Sequence, residues 1–484
     1  MTDWETVVGL ECHVELSTAT KMFCGCANVF GAPPNTNVCP VCLGHPGTLP
    51  VANRRAVEHT ITIGLALGCS IAERSLFHRK NYFYPDMPKN FQISQYDLPL
   101  CTAGTLEVQV EGEARSIGVH RVHLEEDTGK TTHAGSTGRI AEAEYALEDY
   151  NRAGVPLVEI VSEPDVRAPE EARAYLTELR QILETLGVSD VRMEEGSLRC
   201  DANVSLRERG TDELGTKVEI KNMNSIRSVE RAIRYEAERQ AKALEAGETI
   251  VQETRHWDEN EGVTKSLRSK EYAFDYRYFP EPDLQPLEPS TEWVEDLRKA
   301  LPELPAVRRA RFAKTYDLPA DVAAQLADGE LASLFEAAIV RADGLAPRMI
   351  ANWLTQNVAG IRNETGLSLE DLHAQLDTIV EVIKLVDAES ISSLAGKEVL
   401  EEALKAKRQP LEIVEERGLK QVSDSAELLR VIDAVLSENP AQAEQFRGGK
   451  EGVIGFLVGR VMKATGGSAN PKEAQRLLRE RLRA

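Results

Sequence analysis

Over residues 7–16 apolar and polar side chains largely alternate. A strand sends successive side chains to opposite faces, so Leu10, Cys12, Val14 and Leu16 share one face and Glu11, His13 and Glu15 the other. Strands are also expected within 106–110, 118–124, 155–161, 198–206 and 217–221. Helical spacing takes over at 169–186. There Ala172, Tyr175, Leu176, Leu179, Ile182, Leu183 and Leu186 make one stripe, Pro169 suits a first turn and Gly187 a C-cap. A helix should follow Asn53, with Val57, Ile61, Gly64 and Leu65 on its packing face, and another should span 226–246. Past Pro280, Pro282 and Pro286 the β signal stops. The stretch 291–405 reads as helices, Arg408-Gln409-Pro410 marks a second break, and the remainder is helical again. These patterns predict an α+β domain over 1–290 with a mostly antiparallel sheet, an all-helical domain over 291–407, and a small helical tail over 408–484.

The length, 484 residues, is too great for one core and agrees with several domains. Met1-Thr2-Asp3-Trp4-Glu5 has neither the basic nor the apolar region of a secretory signal. No apolar run reaches the roughly 20 residues of a membrane span. A cytoplasmic protein without a membrane partner is expected. A net charge of -21 argues against an all-over nucleic-acid coat. The tail departs from that average: from Arg447 on, nine Lys or Arg stand against three Glu, as in a local RNA-binding patch.

Residues 17–50 lack periodicity and carry Cys24-x-Cys26 and Cys39-x-x-Cys42. Two close pairs joined by a loop can present four thiolates to one tetrahedral ion with no open position, which is the pattern of a structural zinc site. A disulfide pair or four unrelated thiols is the plainer alternative. Glu159 is a lone carboxylate within Leu157-Val158-Glu159-Ile160-Val161, and burying it is costly unless it is paired or binds metal. With Glu11 and His13 on the first strand and His123-Leu124-Glu125-Glu126-Asp127 ending another, three strands can bring oxygen ligands and one imidazole together, a set suited to magnesium. Gly129-Lys130-Thr131 resembles the end of a P-loop, but Leu124 stands where the first glycine belongs and the preceding residues are acidic.

The longer motifs are similar to one family. Gly-Leu-Glu-x-His-Val-Glu-Leu (9–16), Arg-Lys-Asn-Tyr-Phe-Tyr-Pro-Asp (79–86), His-Leu-Glu-Glu-Asp-x-Gly-Lys (123–130), Asn-Arg-x-Gly-x-Pro-Leu-x-Glu-Ile-Val-Ser-Glu-Pro-Asp (151–165) and Glu-Glu-Gly-Ser-Leu-Arg-Cys-Asp-Ala-Asn (194–203) resemble the B subunits of aspartyl/glutamyl-tRNA amidotransferases. So do Glu-Ile-Lys-Asn-x-Asn-Ser (219–225), Gln-Glu-Thr-Arg (252–255), Asp-Tyr-Arg-Tyr-Phe-Pro-Glu-Pro-Asp (275–283) and Gly-Phe-Leu-Val-Gly (455–459). The long inserted domain of the paralogous archaeal subunit is not found. The resemblance implies a cradle-shaped α+β domain, a helical domain and a tRNA-binding tail. It also implies ATP-dependent phosphorylation of Glu or Asp mischarged on tRNA(Gln) or tRNA(Asn), then amidation by ammonia from an amidase (A) subunit, the pair being belted by a small (C) subunit.

By position, the resemblance implies magnesium at His13, Glu126 and Glu159 with Glu11 beside them, and zinc at Cys24, Cys26, Cys39 and Cys42. Arg79, Lys80, Lys217 and Lys221 are the candidate ATP contacts. A reading from another class, a zinc-containing RNA-binding adaptor without chemistry, would keep the cysteines and the tail but would not need Glu159 inside an apolar strand.

Overall fold

The computed structural model describes residues 3–134, 143–269, 276–327, 329–420, 425–465 and 469–483. They form two compact units, residues 1–305 and 306–484.

The first unit is built on a mixed sheet, antiparallel but for one pair. Its strands are β1 (Trp4–Glu15), β2 (Ser70–Ile71), β3 (His78–Asn81), β4 (Phe91–Ser94), β5 (Cys101–Val110), β6 (Glu113–Glu126), β9 (Pro156–Ser162), β10 (Leu198–Glu208), β11 (Val218–Lys221), β12 (Glu253–Asp258), β13 (Val263–Ser269) and β14 (Phe279–Pro280). A separate hairpin pairs β7 (Lys130–Ala134) with β8 (Tyr145–Asp149). The main order is β13-β12-β11-β10-β1-β9-β6-β4-β3-β14, with β5 on β6 and β2 on β5. Only β11 and β12 run parallel among the described strands. The expected strands are all present. The β12–β13 hairpin was not expected from the sequence, because Arg255, His256, Lys265 and Arg268 break the apolar alternation.

The first strand lies in the interior of the sheet, between β9 and β10. Its apolar side chains Leu10, Cys12 and Val14 are fully buried in one core with Tyr175, Leu176 and Leu179 of helix α2. Helices α1 (Arg54–Ala66), α2 (Pro169–Leu186) and α3 (Ile226–Glu245) pack on the sheet. Asn53 caps α1 by accepting from the Arg55 and Ala56 N–H groups, and Gly187 closes α2 in the left-handed conformation at φ 64°. Gly64 serves a close approach: a Cβ there would stand 2.5 Å from Cys101 Sγ. The opposite face of β1 carries Glu11, His13 and Glu15.

The expected boundary near 290 lies too early. Helix α4 (Thr291–Lys299) packs Trp293, Val294 and Leu297 on the first core, so the compact unit runs to Pro305. The second unit is helical throughout its described residues and has two hydrophobic clusters. The break at 408 is also early. The helix Pro410–Glu416 places Ile413 and Val414 in the first of these clusters, and the second begins at Leu428.

Candidate active site and candidate metal centre

Strand register brings the polar side chains together. On β9 Glu159 pairs with His13 of β1 on one side and His123 of β6 on the other. These three therefore form a row across three strands, and Glu125, two residues beyond His123, shares their face. His13 Nε2 lies 3.6 Å from Glu159 Oε2 and 3.9 Å from Glu125 Oε1, and His123 Nε2 lies 3.3 Å from Glu159 Oε2. The ligand atoms of His13, Glu125 and Glu159 all fall within 4.8 Å of one another.

Burial alone would lower the His13 pKa. The Glu159 hydrogen bond and the charges of Glu159, Glu125 and Asp201 overcome it and push it up to about 9. Burial, then Glu159, raises the Glu125 carboxyl. Burial opposes ionisation of Glu159 too, but the charge of His123 and hydrogen bonds from both imidazoles hold it well below its ordinary range. Two carboxylates and an imidazole converging in this way match the donor set of a hard divalent cation.

Glu126 does not join them. As the next residue on β6 it points to the other face, where it accepts from the Ile93 N–H at 2.9 Å and pairs with the largely buried ammonium of Lys89. The sequence does carry the signal that separates the two: counting by twos from His123 reaches Glu125. His123 was missed as a partner of Glu159. Glu11 sits on the site face, two residues from His13, and accepts from Asn203 Nδ2 at 2.9 Å.

Beside the row lies a network the sequence reading did not identify. Arg199 Nη2 donates to Asp127 Oδ2 at 2.7 Å, with Arg152 at 3.6 Å. Burial would raise Asp127, but Arg199 and Arg152 hold it down. Glu15 is pushed up to about 8 by burial first and by Asp127 second.

The four candidate ATP contacts separate. Arg79 lies on the Glu126 face, stacked 4.2 Å over Phe91 and forked onto Glu281 at 2.6 and 2.8 Å. The Glu281 side chain is fully buried, so this pair ties the 279–283 segment to β3. Lys80 is on the site face, where its charge reaches Glu125. Lys221 is engaged by Asp201 at 2.5 Å and Glu219 at 3.2 Å. Lys217 is exposed just ahead of β11.

The insert brings Cys24, Cys26, Cys39 and Cys42 together, their sulfurs all within 4.8 Å. None is in a disulfide. The Cys39 N–H donates to Cys42 Sγ at 3.1 Å, and the fully buried Lys21 places Nζ 3.8 Å from the same sulfur. The Cys42 pKa is lowered to about 4, first by a hydrogen bond from the Cys24 thiol, against burial, and then by Cys39 and Lys21. Tetrahedral zinc with ~2.3 Å bonds has sulfur–sulfur edges of about 3.8 Å, and Cys39 and Cys42 stand 3.9 Å apart. Few residues of 17–50 are buried (Thr18, Lys21, Met22, Phe23 and Cys42), so the segment has little core of its own. Among the described residues, no helix is long and apolar enough to cross a membrane.

Residues 6–295 match the family described as the GatB/GatE catalytic domain, and residues 333–482 match the GatB domain. The chain is 51% identical over 480 residues to the aspartyl/glutamyl-tRNA(Asn/Gln) amidotransferase B subunit of Caldanaerobacter subterraneus subsp. tengcongensis, covering 99% of each. It is 54% identical to the protein of the same name in Frankia casuarinae, over 99% of this chain and 96% of that one. The Salinispora arenicola protein of that name is also 54% identical, over 99% and 97%. An adaptor without chemistry does not fit a match to a catalytic domain. Identity of about one residue in two, sustained from end to end, reflects common descent, and this chain belongs to the GatB family of aspartyl/glutamyl-tRNA(Asn/Gln) amidotransferase B subunits.

Proposed function

We propose that this chain activates the side-chain carboxylate of Glu esterified to tRNA(Gln), or of Asp esterified to tRNA(Asn), with ATP and then amidates it. The carboxylate oxygen attacks the γ-phosphorus of ATP, the bond to ADP breaks, and an acyl phosphate forms. Ammonia attacks the acyl carbon, phosphate leaves, and the nitrogen gives up a proton. The observation that carries this reading is the convergence of His13, Glu125 and Glu159 on one sheet face in a chain of this family.

Those three residues would hold a magnesium ion, in place of the expected trio with Glu126. What the bound ion supplies is charge neutralisation at the phosphates. Lys80, near Glu125, offers a further cation for phosphate. The Glu15–Asp127 pair, flanked by Arg199 and Arg152, has the charge balance to hold and pass a proton beside the row. Cys24, Cys26, Cys39 and Cys42 would hold a structural zinc ion that replaces a core in the insert. The ammonia would come from the amidase subunit, with the small subunit completing a heterotrimer, because an acyl phosphate has to be shielded from water until the amine arrives. The tail beyond 424 would grip the tRNA body, with Arg460 and Lys463 exposed on the helix Ile454–Ala464.

The test is product analysis with the purified complex, ATP, glutamine and each mischarged tRNA in turn. The expected product is Gln-tRNA(Gln), Asn-tRNA(Asn) or both. Intact mischarged tRNA without amide, from an otherwise folded complex, would remove the reading.

A further inference from the structure

An aromatic cluster that the chemistry above does not use lies on the site face. Phe279 pairs with Arg79 of β3, so Tyr278 falls opposite Lys80, and Lys80 pairs with Gln92 of β4. Two residues along β4, Ser94 pairs with Glu125, whose carboxylate its hydroxyl meets at 3.3 Å. Alternation therefore carries Tyr278, Lys80, Ser94 and Glu125 on one face. Tyr278 lies flat against Tyr96, with ring centroids 4.2 Å apart and planes 7° from parallel. Tyr276 meets the Tyr278 edge at 6.1 Å, His78 meets Tyr96 at 6.1 Å, and Lys80 Nζ stands 4.9 Å from the Tyr276 ring centre. Burial, then Glu125, raises the Tyr278 hydroxyl, which places that ring within electrostatic reach of the candidate active site.

Tyr96 is the outer leaf of this stack. One ring face is covered by Tyr278, yet 53% of the residue remains accessible. A parallel pair whose outer ring is more than half accessible is a stack that another planar ring can extend, and the adjacent Lys80 ammonium and the carboxylate cluster are where a phosphate and its counter-ion would sit. An apolar peptide side chain would gain nothing from that flanking charge. A nucleobase attached to a phosphate gains from both.

We infer that Tyr96 and Tyr278 form a stacking platform for an adenine base beside the His13–Glu125–Glu159 cluster. The inference rests on the amidotransferase reading, which supplies two sources of that base: ATP itself, and the 3′-terminal adenosine that carries the amino acid. The ring is the shared chemistry, and the experiment separates the sources.

The complex carrying Tyr96→Leu, which keeps apolar bulk without a π face, is compared with Tyr96→Phe and the unaltered complex. Binding is measured for ATP alone, for mischarged tRNA, and for the same tRNA lacking its terminal adenosine. Loss of one base stack weakens binding by about 5- to 150-fold. A weakening of that size for ATP by Tyr96→Leu, spared by Tyr96→Phe, assigns the platform to ATP. The same weakening for intact tRNA, absent for the shortened one, assigns it to the acceptor end. Tyr278→Leu should act in the same direction. If Tyr96→Leu and Tyr278→Leu, melting as the unaltered complex does, bind all three ligands normally, the platform is overturned. An unaltered complex that cannot amidate either tRNA overturns the reading beneath it instead.

Discussion

Adjacent carboxylates on β6 should answer differently to the same substitution. Glu126→Gln keeps the oxygen that accepts from the Ile93 N–H but removes the charge opposite Lys89. The two side chains are 3% and 9% exposed, so the ammonium is left in a poorly solvated place. Breaking a buried pair from one side costs about 3–5 kcal/mol, and the retained hydrogen bond puts this case near 3. For a unit of this size that is a fall in Tm of about 5 °C. Adding Lys89→Met should recover most of it, because the stranded charge is gone. Glu125→Gln should do the reverse. Burial and Glu159 already oppose the Glu125 charge, so its removal should leave Tm unchanged or raise it. Amidation should nevertheless fall at least about 100-fold, since changes in the shell outside metal ligands alone cost 10–100-fold. Thermal melting of each variant complex, with the amidation rate measured below its melting range, tests both halves. A Glu126→Gln protein that melts normally but is inactive, beside an active Glu125→Gln protein, would refute the assignment of faces.

Metal analysis should find about one zinc per chain, with Cys24→Ser and Cys39→Ser losing it and melting earlier; a metal-free protein with four reactive thiols would remove the site. Arg79→Met strands the buried Glu281 carboxylate and should cost about 3–5 kcal/mol by denaturant titration while the KM for ATP stays within twofold; a large KM change at unaltered stability would return Arg79 to the ATP site. Arg460→Gln with Lys463→Gln should weaken tRNA binding and flatten its dependence on log salt by about one unit per lost phosphate contact; unchanged affinity at all salt concentrations would place the grip elsewhere. Ending the chain at 424 should leave the middle helical core intact, whereas ending it at 409 removes Ile413 and Val414 from that core and should lower its melting point; equal melting would refute the placement of that helix.

The sequence disclosed what depends on local period. The two faces of β1, the stripe of α2 and the cysteine spacing all survive in the structure because each is decided within a few residues of chain. What it did not disclose depends on pairing between distant segments. Alternation from His123 puts Glu125 and Glu126 on opposite faces, but which face carries the site is decided only when His123 is registered against Glu159. Arg79 reads as a free cation until β14 arrives beside β3 with Glu281. The boundary near 290 was inferred from prolines and the end of the β signal, but Trp293, Val294 and Leu297 belong to the core before it. The tail's basic excess is partly internal: Arg476 is held by Glu473 and Glu480, and Arg481 by Asp433.

The place of β1 in the sheet also sets a timetable. It leaves the ribosome well before its two neighbours, β9 and β10, which end at Ser162 and Glu208. At about 5–20 residues per second, some 10–40 s of translation separate β1 from its second partner. Through that interval Val7, Val8, Leu10 and Val14 have no sheet to enter, and both edges of the strand offer unpaired amides. The nascent chain thus carries a sticky segment until both partners are made, and the candidate site face of β1 is framed on both sides only once Glu208 has been added. Synonymous changes that slow translation between 16 and 208 should therefore lower the soluble yield of an unchanged protein, and a holdase acting early should restore it.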